Sequence, residues 1–350
     1  MKINFIIPMP TIGGGIKVVY QLANQLKDLG HDVVIYSPII TFKNKSITSR
    51  AYVSLRNFFA GSKVNWFELK VPLIVKYILR PKDIRKANIN IATFWSTSYF
   101  IKRIPDNSKK VYLIQSYELW GSKNPKEVDD SYRLNLFNIT TSEYLYNLIK
   151  NKFGNNNLYR IRVGIDKKEF FPEFKKDYTK KNLSLLIMYS SNITKGYIYG
   201  IKACEEVMKD FKNIKLRIFG IKKPKKIPKK AEFILKPTRE ELRKIYSKSD
   251  IFVSPVLEGE GLYLPVLEAM SCKCAIIGTS VGALNEIGKN GKNCLISMPK
   301  DSNNIGDNIR ALIENREKLK LISQEGFRSV NKLDLLNSSK DLINIFKNLI

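Results

Sequence analysis

Short apolar segments alternate with amphipathic helical segments along most of this 350-residue sequence. Residues 2–7 form a strand-like apolar run, residues 17–29 carry apolar side chains at helical spacing, and residues 32–36 form a second strand-like run. Further runs in the first half lie at 89–93, 110–115, 136–140 and 158–162, with a helical pattern at 142–152. Strands that alternate with helices form a parallel sheet with helices on both faces. The sequence therefore predicts an α/β fold.

The alternation stops in an aperiodic segment and then restarts. Residues 166–183 are rich in Lys, Asp, Glu and Phe, and they predict an interdomain linker. Strand-like runs follow at 185–188, 215–219, 232–235, 251–253 and 275–278, with helical patterns at 197–209 and 240–248. The restart predicts two Rossmann-like domains, residues 1–165 and residues 184–335.

The second strong feature is a formal net charge of +28, from 60 basic and 32 acidic residues. Such an excess favours polyanions or an anionic membrane surface as partners, although solvated surface lysine is the alternative. Residues 56–86 interleave aromatic and basic side chains, which suits a lipid interface. We expect no transmembrane helix, because no run reaches about 18 apolar residues. The first residues predict a buried strand rather than a signal peptide.

Several classes of chemistry are excluded by what the sequence lacks. His31 is the single histidine, so Ser-His triads and histidine-bound zinc are excluded. The four cysteines form no C-x-x-C pair, and reduced buried thiols are expected. No Asp-x-Asp pair is present to clamp a metal on a substrate, so no metal site is expected.

The segment from Asp250 to Met270 carries the most chemical information. A short apolar strand leads into a loop that contains Glu260, and Pro265 then opens an apolar helix. The free N–H groups of a helix start attract phosphate. One acid, Glu260, can face a substrate at the loop, while Glu268 in the helix accepts hydrogen bonds from a group such as a ribose. The alternative is a solvated loop acid and a favourable helix-dipole interaction.

The run from Glu260 to Glu268 resembles the E-x7-E donor motif of retaining glycosyltransferases of family 4, which have the GT-B fold. Residues 238–255 resemble the helix and strand that precede that motif. The resemblance implies two domains that face a cleft, with residues 336–350 crossing back as a helix to the first domain. It also implies a nucleotide-sugar co-substrate and no cofactor or metal ion. In that family pattern Glu260 faces the sugar as the catalytic residue, Glu268 holds the donor ribose, and the diphosphate is held by the backbone around Gly261, Leu262, Tyr263 and Leu264.

Two further segments resemble the same family. The glycine loop formed by Gly13, Gly14 and Gly15 follows the first strand, and its glycines allow close backbone approach and positive φ. The loop lacks the third glycine and the acidic residue of an NAD site, and it resembles the family's signature at the acceptor and donor cleft. Lys195 matches the lysine that meets the donor diphosphate. The arginine usual a few residues earlier is missing, because residues 189–192 are Tyr-Ser-Ser-Asn.

Polar and aromatic residues cluster where two strands of the first domain are expected to end. Residues 93–97 and 115–118 resemble a rhamnosyltransferase-like branch of the family. Ligands of open α/β sheets bind outside such strand ends. Trp95, Tyr117 and Glu118 are therefore candidate acceptor residues, and ordinary core packing is the alternative.

These features together predict a retaining glycosyltransferase at the cytoplasmic membrane face. It would move a sugar from a nucleotide-sugar donor to a hydroxyl of a glycan or lipid-linked acceptor. One alternative is another GT-B enzyme, such as a nucleotide-sugar epimerase. The other is a non-catalytic protein that binds polyanions through its charge; no nucleic-acid-binding signature supports a nucleic-acid partner.

Overall fold

The computed structural model describes residues 1–40, 64, 66–258, 261 and 264–350. These residues form two compact units: Met1–Val163 with Leu335–Ile350, and Gly164–Asp334. The segment 166–183, predicted as a linker, groups with the second unit. Its side chains bind that unit through ion pairs, of which Glu173 with Arg243 at 3.2 Å is one.

The first unit is built on a parallel sheet. Among the described residues its strands are β1 (Lys2–Ile6), β2 (Asp32–Pro38), β3 (Leu73–Lys76), β4 (Ile89–Ala92), β5 (Lys109–Ile114), β6 (Phe137–Thr140) and β7 (Leu158–Arg160). They lie in the order β3-β2-β1-β4-β5-β6-β7. Among the described residues of its first 163 positions, the α-helices are α1 (Gly14–Asp28), α2 (Trp95–Lys102), α3 (Pro125–Ser131) and α4 (Glu143–Phe153).

Burial on both faces explains why these strands are nearly continuous apolar runs. In β1, the consecutive residues Phe5 and Ile6 point to opposite faces of the sheet and are both fully buried. In α1, Val18, Leu22 and Leu26 recur at four-residue spacing and are also fully buried. The strand and helix periods predicted from the sequence are therefore confirmed here.

The second unit repeats the same architecture. Its described strands are β8 (Leu183–Tyr189), β9 (Ile214–Gly220), β10 (Ala231–Leu235), β11 (Ile251–Ser254), β12 (Ala275–Thr279) and β13 (Leu295–Ser297), in the order β10-β9-β8-β11-β12-β13. Its helices are α5 (Tyr197–Asp210), α6 (Arg239–Lys248), α7 (Leu264–Ser271), α8 (Leu284–Ile287), α9 (Ser302–Glu314) and α10 (Arg316–Val330). All of the strand pairs in both sheets are parallel.

Each sheet has one place where the strand order reverses direction. It lies between β1 and β4 in the first unit, and between β8 and β11 in the second. Open α/β sheets bind ligands outside the carboxyl ends of the strands at such a switch point. The loops that follow these four strands are therefore where functional residues are expected.

A final helix, α11 (Leu335–Leu349), belongs to the first unit, as the sequence predicts for the tail. It packs against α1 through an apolar face that includes Leu342 and Phe346, which are buried. The hydroxyl of Ser338 donates a hydrogen bond of 2.6 Å to the carbonyl of Arg162. The tail thus completes the domain that contains the start of the sequence.

The region 56–86 was predicted to face lipid, and part of it is described by the structure. Residues 56–63 lie outside the described residues. The Trp66 ring stacks on Tyr20 with centroids 5.6 Å apart, and Phe67 packs on the same buried ring. Phe67 is therefore buried and Trp66 half-buried against Tyr20, and contact of this region with a lipid surface stays a prediction. In the parts of the chain that the structure describes, no helix is both long and apolar enough to span a membrane.

Candidate functional sites

At the switch point of the second unit, the loops that follow β8 and β11 are locked together. The amide of Leu257 donates a 2.8 Å hydrogen bond to the carbonyl of Thr194. Gly196 has a φ of +65°, and a Cβ atom there would lie 1.7 Å from the carbonyl oxygen of Pro255. Only glycine tolerates both the conformation and the contact. Gly196 therefore fixes the position of the short turn before it.

That turn carries Lys195 at the carboxyl edge of the sheet. Ile193–Lys195 form one 3-10 turn, and the Asn192 side chain accepts a 3.1 Å hydrogen bond from the amide of Thr194. Lys195 is half-buried. The predicted diphosphate-binding lysine thus lies beside the switch point, on a turn that is held by a cap and a close-packed glycine.

Glu268 lies on α7, the helix that follows the β11 loop. Its side chain is only 4% exposed, and the hydroxyl of Tyr246 on α6 donates a 3.3 Å hydrogen bond to it. Gly261 and Leu264, which precede Glu268 in the sequence, are also buried. Glu260, Leu262 and Tyr263 lie outside the described residues, so their predicted roles stay predictions.

Arg239, which was not predicted from the sequence, is the cationic member of the Glu268 site. Burial lowers the pKa of Arg239 to about 10, while the negative charges of Glu268 and Asp166 oppose that shift. Its guanidinium also pairs with Glu169. Arg239 therefore stays charged at neutral pH among three acidic residues. A cation in the first turn of a helix is unfavourable to the helix dipole, and this was the available signal that Arg239 had acidic partners.

At the switch point of the first unit, the glycine loop leads directly into α1. Gly13 is the residue before the helix and has an extended φ of −172°, while Gly14 and Gly15 are helical. The expectation that these glycines use positive φ is therefore wrong. Packing within the protein does not require glycine at position 13, because a Cβ atom there would meet nothing within 4 Å. On Gly15 a Cβ atom would lie 3.6 Å from the Gln115 side chain.

Of the three candidate acceptor residues, Trp95 and Glu118 are buried. Their exposed fractions are 4% and 2%. A Glu118 carboxylate oxygen accepts hydrogen bonds from the amide of Trp95, at 2.6 Å, and from the hydroxyl of Tyr112, at 2.9 Å. Burial raises the pKa of Glu118 to about 8. These contacts fix the start of α2.

Tyr117, the third candidate, lies at the edge of this network and is half-buried. Its hydroxyl donates a 2.6 Å hydrogen bond to Asp129, and Lys152 pairs with the same carboxylate at 3.1 Å. Contact of Trp95, Tyr117 or Glu118 with an acceptor stays a prediction.

An exposed tryptophan lies two residues after Glu118 and was not selected from the sequence. Trp120 is 67% exposed, and its ring centroid lies 5.7 Å from that of Phe94. The next residue must be small, because a Cβ atom on Gly121 would lie 2.5 Å from the Phe94 ring. Trp120 is thus a large exposed ring on a closely packed support. The pair Trp120-Gly121 beside a predicted strand end was the available signal.

Comparisons with known proteins agree with this architecture. A family model described as "Glycosyl transferases group 1" matches residues 184–315. No curated protein sequence matches the chain. Among solved structures, Anabaena HepE in complex with UDP-glucose is 12% identical, with 99% of this chain and 100% of that chain covered and a TM-score of 0.80.

Two other solved structures are similar over nearly their whole length. Sucrose-phosphate synthase from Thermosynechococcus elongatus is 15% identical, with coverage of 99% and 98% and a TM-score of 0.75. TarM from S. aureus, in complex with fondaparinux, alpha-GlcNAc-glycerol and UDP, is 12% identical, with 99% of each chain covered and a TM-score of 0.74. At such identities the similarity establishes the fold, which is GT-B.

Proposed function

We propose that this protein is a retaining glycosyltransferase that moves a sugar from a nucleotide-sugar donor to a hydroxyl of a glycan or lipid-linked acceptor. The observation that carries the proposal is the placement of Lys195 and of the loop that leads to Glu268 at the switch point of the second unit. This region lies within the part matched by the glycosyltransferase family model. The similarity to HepE in complex with UDP-glucose supports a nucleotide-sugar donor.

The donor side divides into residues that bind and residues that act on the leaving group. Glu268 accepts hydrogen bonds from the donor ribose, and Tyr246 holds its carboxylate in place. Lys195 meets the diphosphate as a point charge. The backbone amides at the start of α7 stabilise the negative charge that grows on the departing diphosphate. Glu260 faces the sugar. No metal ion is needed in this scheme, so transfer should proceed in the presence of EDTA.

Replacing Lys195 with alanine should weaken nucleotide-sugar and nucleoside diphosphate to the same extent. The substitution removes one charged contact to phosphate, worth about 1.5–3 kcal/mol, or about 10- to 150-fold in Kd. Calorimetry measures this with the nucleotide that gives the largest thermal shift among UDP, GDP and dTDP. Lys202→Ala on α5, which removes an exposed lysine, is the matched control. Unchanged diphosphate affinity in Lys195→Ala would contradict the assignment.

On the acceptor side, Trp120 offers an apolar ring on which one face of a sugar can stack. Trp120→Ala should raise the acceptor KM by about 2- to 12-fold, since aromatic contacts contribute about 0.5–1.5 kcal/mol. Trp120→Phe should retain most of the affinity. Hydrolysis of the donor without acceptor should be equal in all three proteins. Equal acceptor KM values for the alanine and phenylalanine variants would remove Trp120 from the acceptor site.

We also propose that the protein works at the cytoplasmic face of an anionic membrane. The net charge of +28 supports this, as do Tyr77 and Ile78, which are more than half exposed beside Lys76 and Arg80. Sedimentation should occur with vesicles that contain phosphatidylglycerol and should fall as salt rises. Equal sedimentation with pure phosphatidylcholine vesicles would contradict it.

A further inference from the structure

A basic pocket of about 340 Å³ lies in the second unit, at the amino ends of its strands. Strand β8 has 7 residues, and strand residues rise about 3.3 Å each, so the two edges of the sheet lie about 20 Å apart. The pocket is therefore separate from the switch-point loops at the carboxyl edge. Its lining includes six cations: Lys175, Lys176, Lys180, Lys215, Arg217 and Lys248.

Strand β9 forms part of the pocket wall, and two of the pocket's cations, Arg217 and Lys180, are held by acidic or hydroxyl partners. Lys215 and Arg217 are two residues apart on β9 and therefore point to the same face. Arg217 donates a 2.6 Å hydrogen bond to Ser184, on the neighbouring strand β8, and pairs with Glu232 at 3.0 Å. Lys180 pairs with the buried Asp250 at 2.8 Å. These partners hold two of the six cations in place.

Three of the six cations have no matching acid in the part of the chain that the structure describes. Lys175, Lys215 and Lys248 have no ion-pair partner among the described residues, and Lys248 lies 5.5 Å from the Phe174 ring. One lining residue is acidic, Asp177, and its carboxylate is engaged by the amide and hydroxyl of Thr179. Cations held close together repel one another, so the arrangement gains stability from an anion in the pocket.

We propose that this pocket binds the phosphate groups of a small ligand, independently of the transfer reaction. Its volume is at the lower end of the range for small-molecule sites, about 300–1,000 Å³, so it suits a diphosphate or one lipid headgroup rather than a polymer chain. Lysine ammonium groups bind phosphate as compact point charges from several directions. Three chain segments converge to supply them, the 174–184 segment, the start of β9 and the end of α6.

Two variants that lose the same charge test the site. The pocket variant is Lys175→Ala/Lys215→Ala/Lys248→Ala, and the control variant is Lys202→Ala/Lys332→Ala/Lys340→Ala, which changes exposed lysines outside the pocket lining. Calorimetry measures the binding of inorganic pyrophosphate to each protein. In the pocket variant alone, the affinity should fall at least tenfold, or one of two binding events should disappear. In the unmodified protein, pyrophosphate should protect Lys175, Lys215 and Lys248 from amine acetylation and leave the three control lysines reactive.

A vesicle assay distinguishes the source of the phosphate. Vesicles of phosphatidylcholine mixed with phosphatidylglycerol are compared with phosphatidylcholine alone, using the same three proteins. Loss of vesicle binding in the pocket variant alone assigns the site to a lipid headgroup, and loss of pyrophosphate binding alone assigns it to a soluble phosphate compound. The proposal is overturned if the pocket and control variants bind both probes equally, or if the unmodified protein binds neither at low salt.

Discussion

Glu268→Gln should weaken nucleotide binding by about 10- to 150-fold while the protein stays folded. In the proposed function, Glu268 accepts a hydrogen bond from the ribose, and the change removes its charge; a hydrogen bond to a charged group is worth about 1.5–3 kcal/mol. Glutamine has the same shape, and its amide oxygen can still accept the hydrogen bond from Tyr246. Arg239 keeps its pairing with Glu169. Calorimetry with the identified nucleotide measures the affinity, and melting curves measure stability.

Glu314→Gln, at the exposed end of α9, is the control for the same chemical change on the surface of the same unit. Glu260→Gln gives the functional contrast, because a residue that faces the sugar should affect turnover and leave nucleotide affinity nearly unchanged. A folded Glu268→Gln protein that binds nucleotide as well as the unmodified protein would show that this carboxylate does not contact the donor.

Gly196→Ala should cost roughly 2–5 kcal/mol of folding free energy in the second unit. About 1–2 kcal/mol comes from the left-handed conformation, and about 1–3 kcal/mol from the clash with the Pro255 carbonyl. Urea denaturation measures the loss. Because the same contact fixes the turn of Lys195, nucleoside diphosphate affinity should fall as well.

Gly291→Ala, in the same unit, separates the cost of the left-handed conformation from the cost of the clash. Gly291 has a φ of +75°, and a Cβ atom there would meet nothing within 4 Å. This variant should lose only the conformational part and should bind nucleotide normally. If the two alanine variants were equally stable and bound nucleotide equally, the packing of Gly196 on Pro255 would have no role in holding the site.

Most of the fold could be predicted because buried parallel strands have a simple sequence pattern. The helices α9 and α10, of 13 and 15 residues, were not identified, and some of the other missed elements are short or have the wrong propensity. β13 has only 3 residues. Residues 95–102 are rich in aromatic and hydroxyl side chains. They form α2 because Glu118 accepts a hydrogen bond from the first amide of the helix, and Thr97 accepts hydrogen bonds from the amides of Thr93 and Phe94, which precede the helix. These contacts come from tertiary structure, which no local pattern contains.

The candidate sites were predicted unevenly for a related reason. Lys195 and Glu268 lie in segments with a recognisable motif, and the structure places their loops at a switch point. Arg239 and Trp120 have no such motif. Arg239 depends on acids about 30 and 70 positions away along the sequence, and Trp120 depends on how Gly121 packs on Phe94. Such pairings are set by the sheet order and not by neighbouring residues.

The docking of α11 on α1 affects the order in which the two units can fold during synthesis. The second unit is continuous in sequence, whereas the first unit needs Leu335–Leu349 to cover the apolar face of a helix that begins at Gly14. During synthesis, the apolar face of α1 therefore stays uncovered until residues 335–349 have left the ribosome. Residues 164–334 can complete their core earlier, so the domain encoded second is expected to finish folding first.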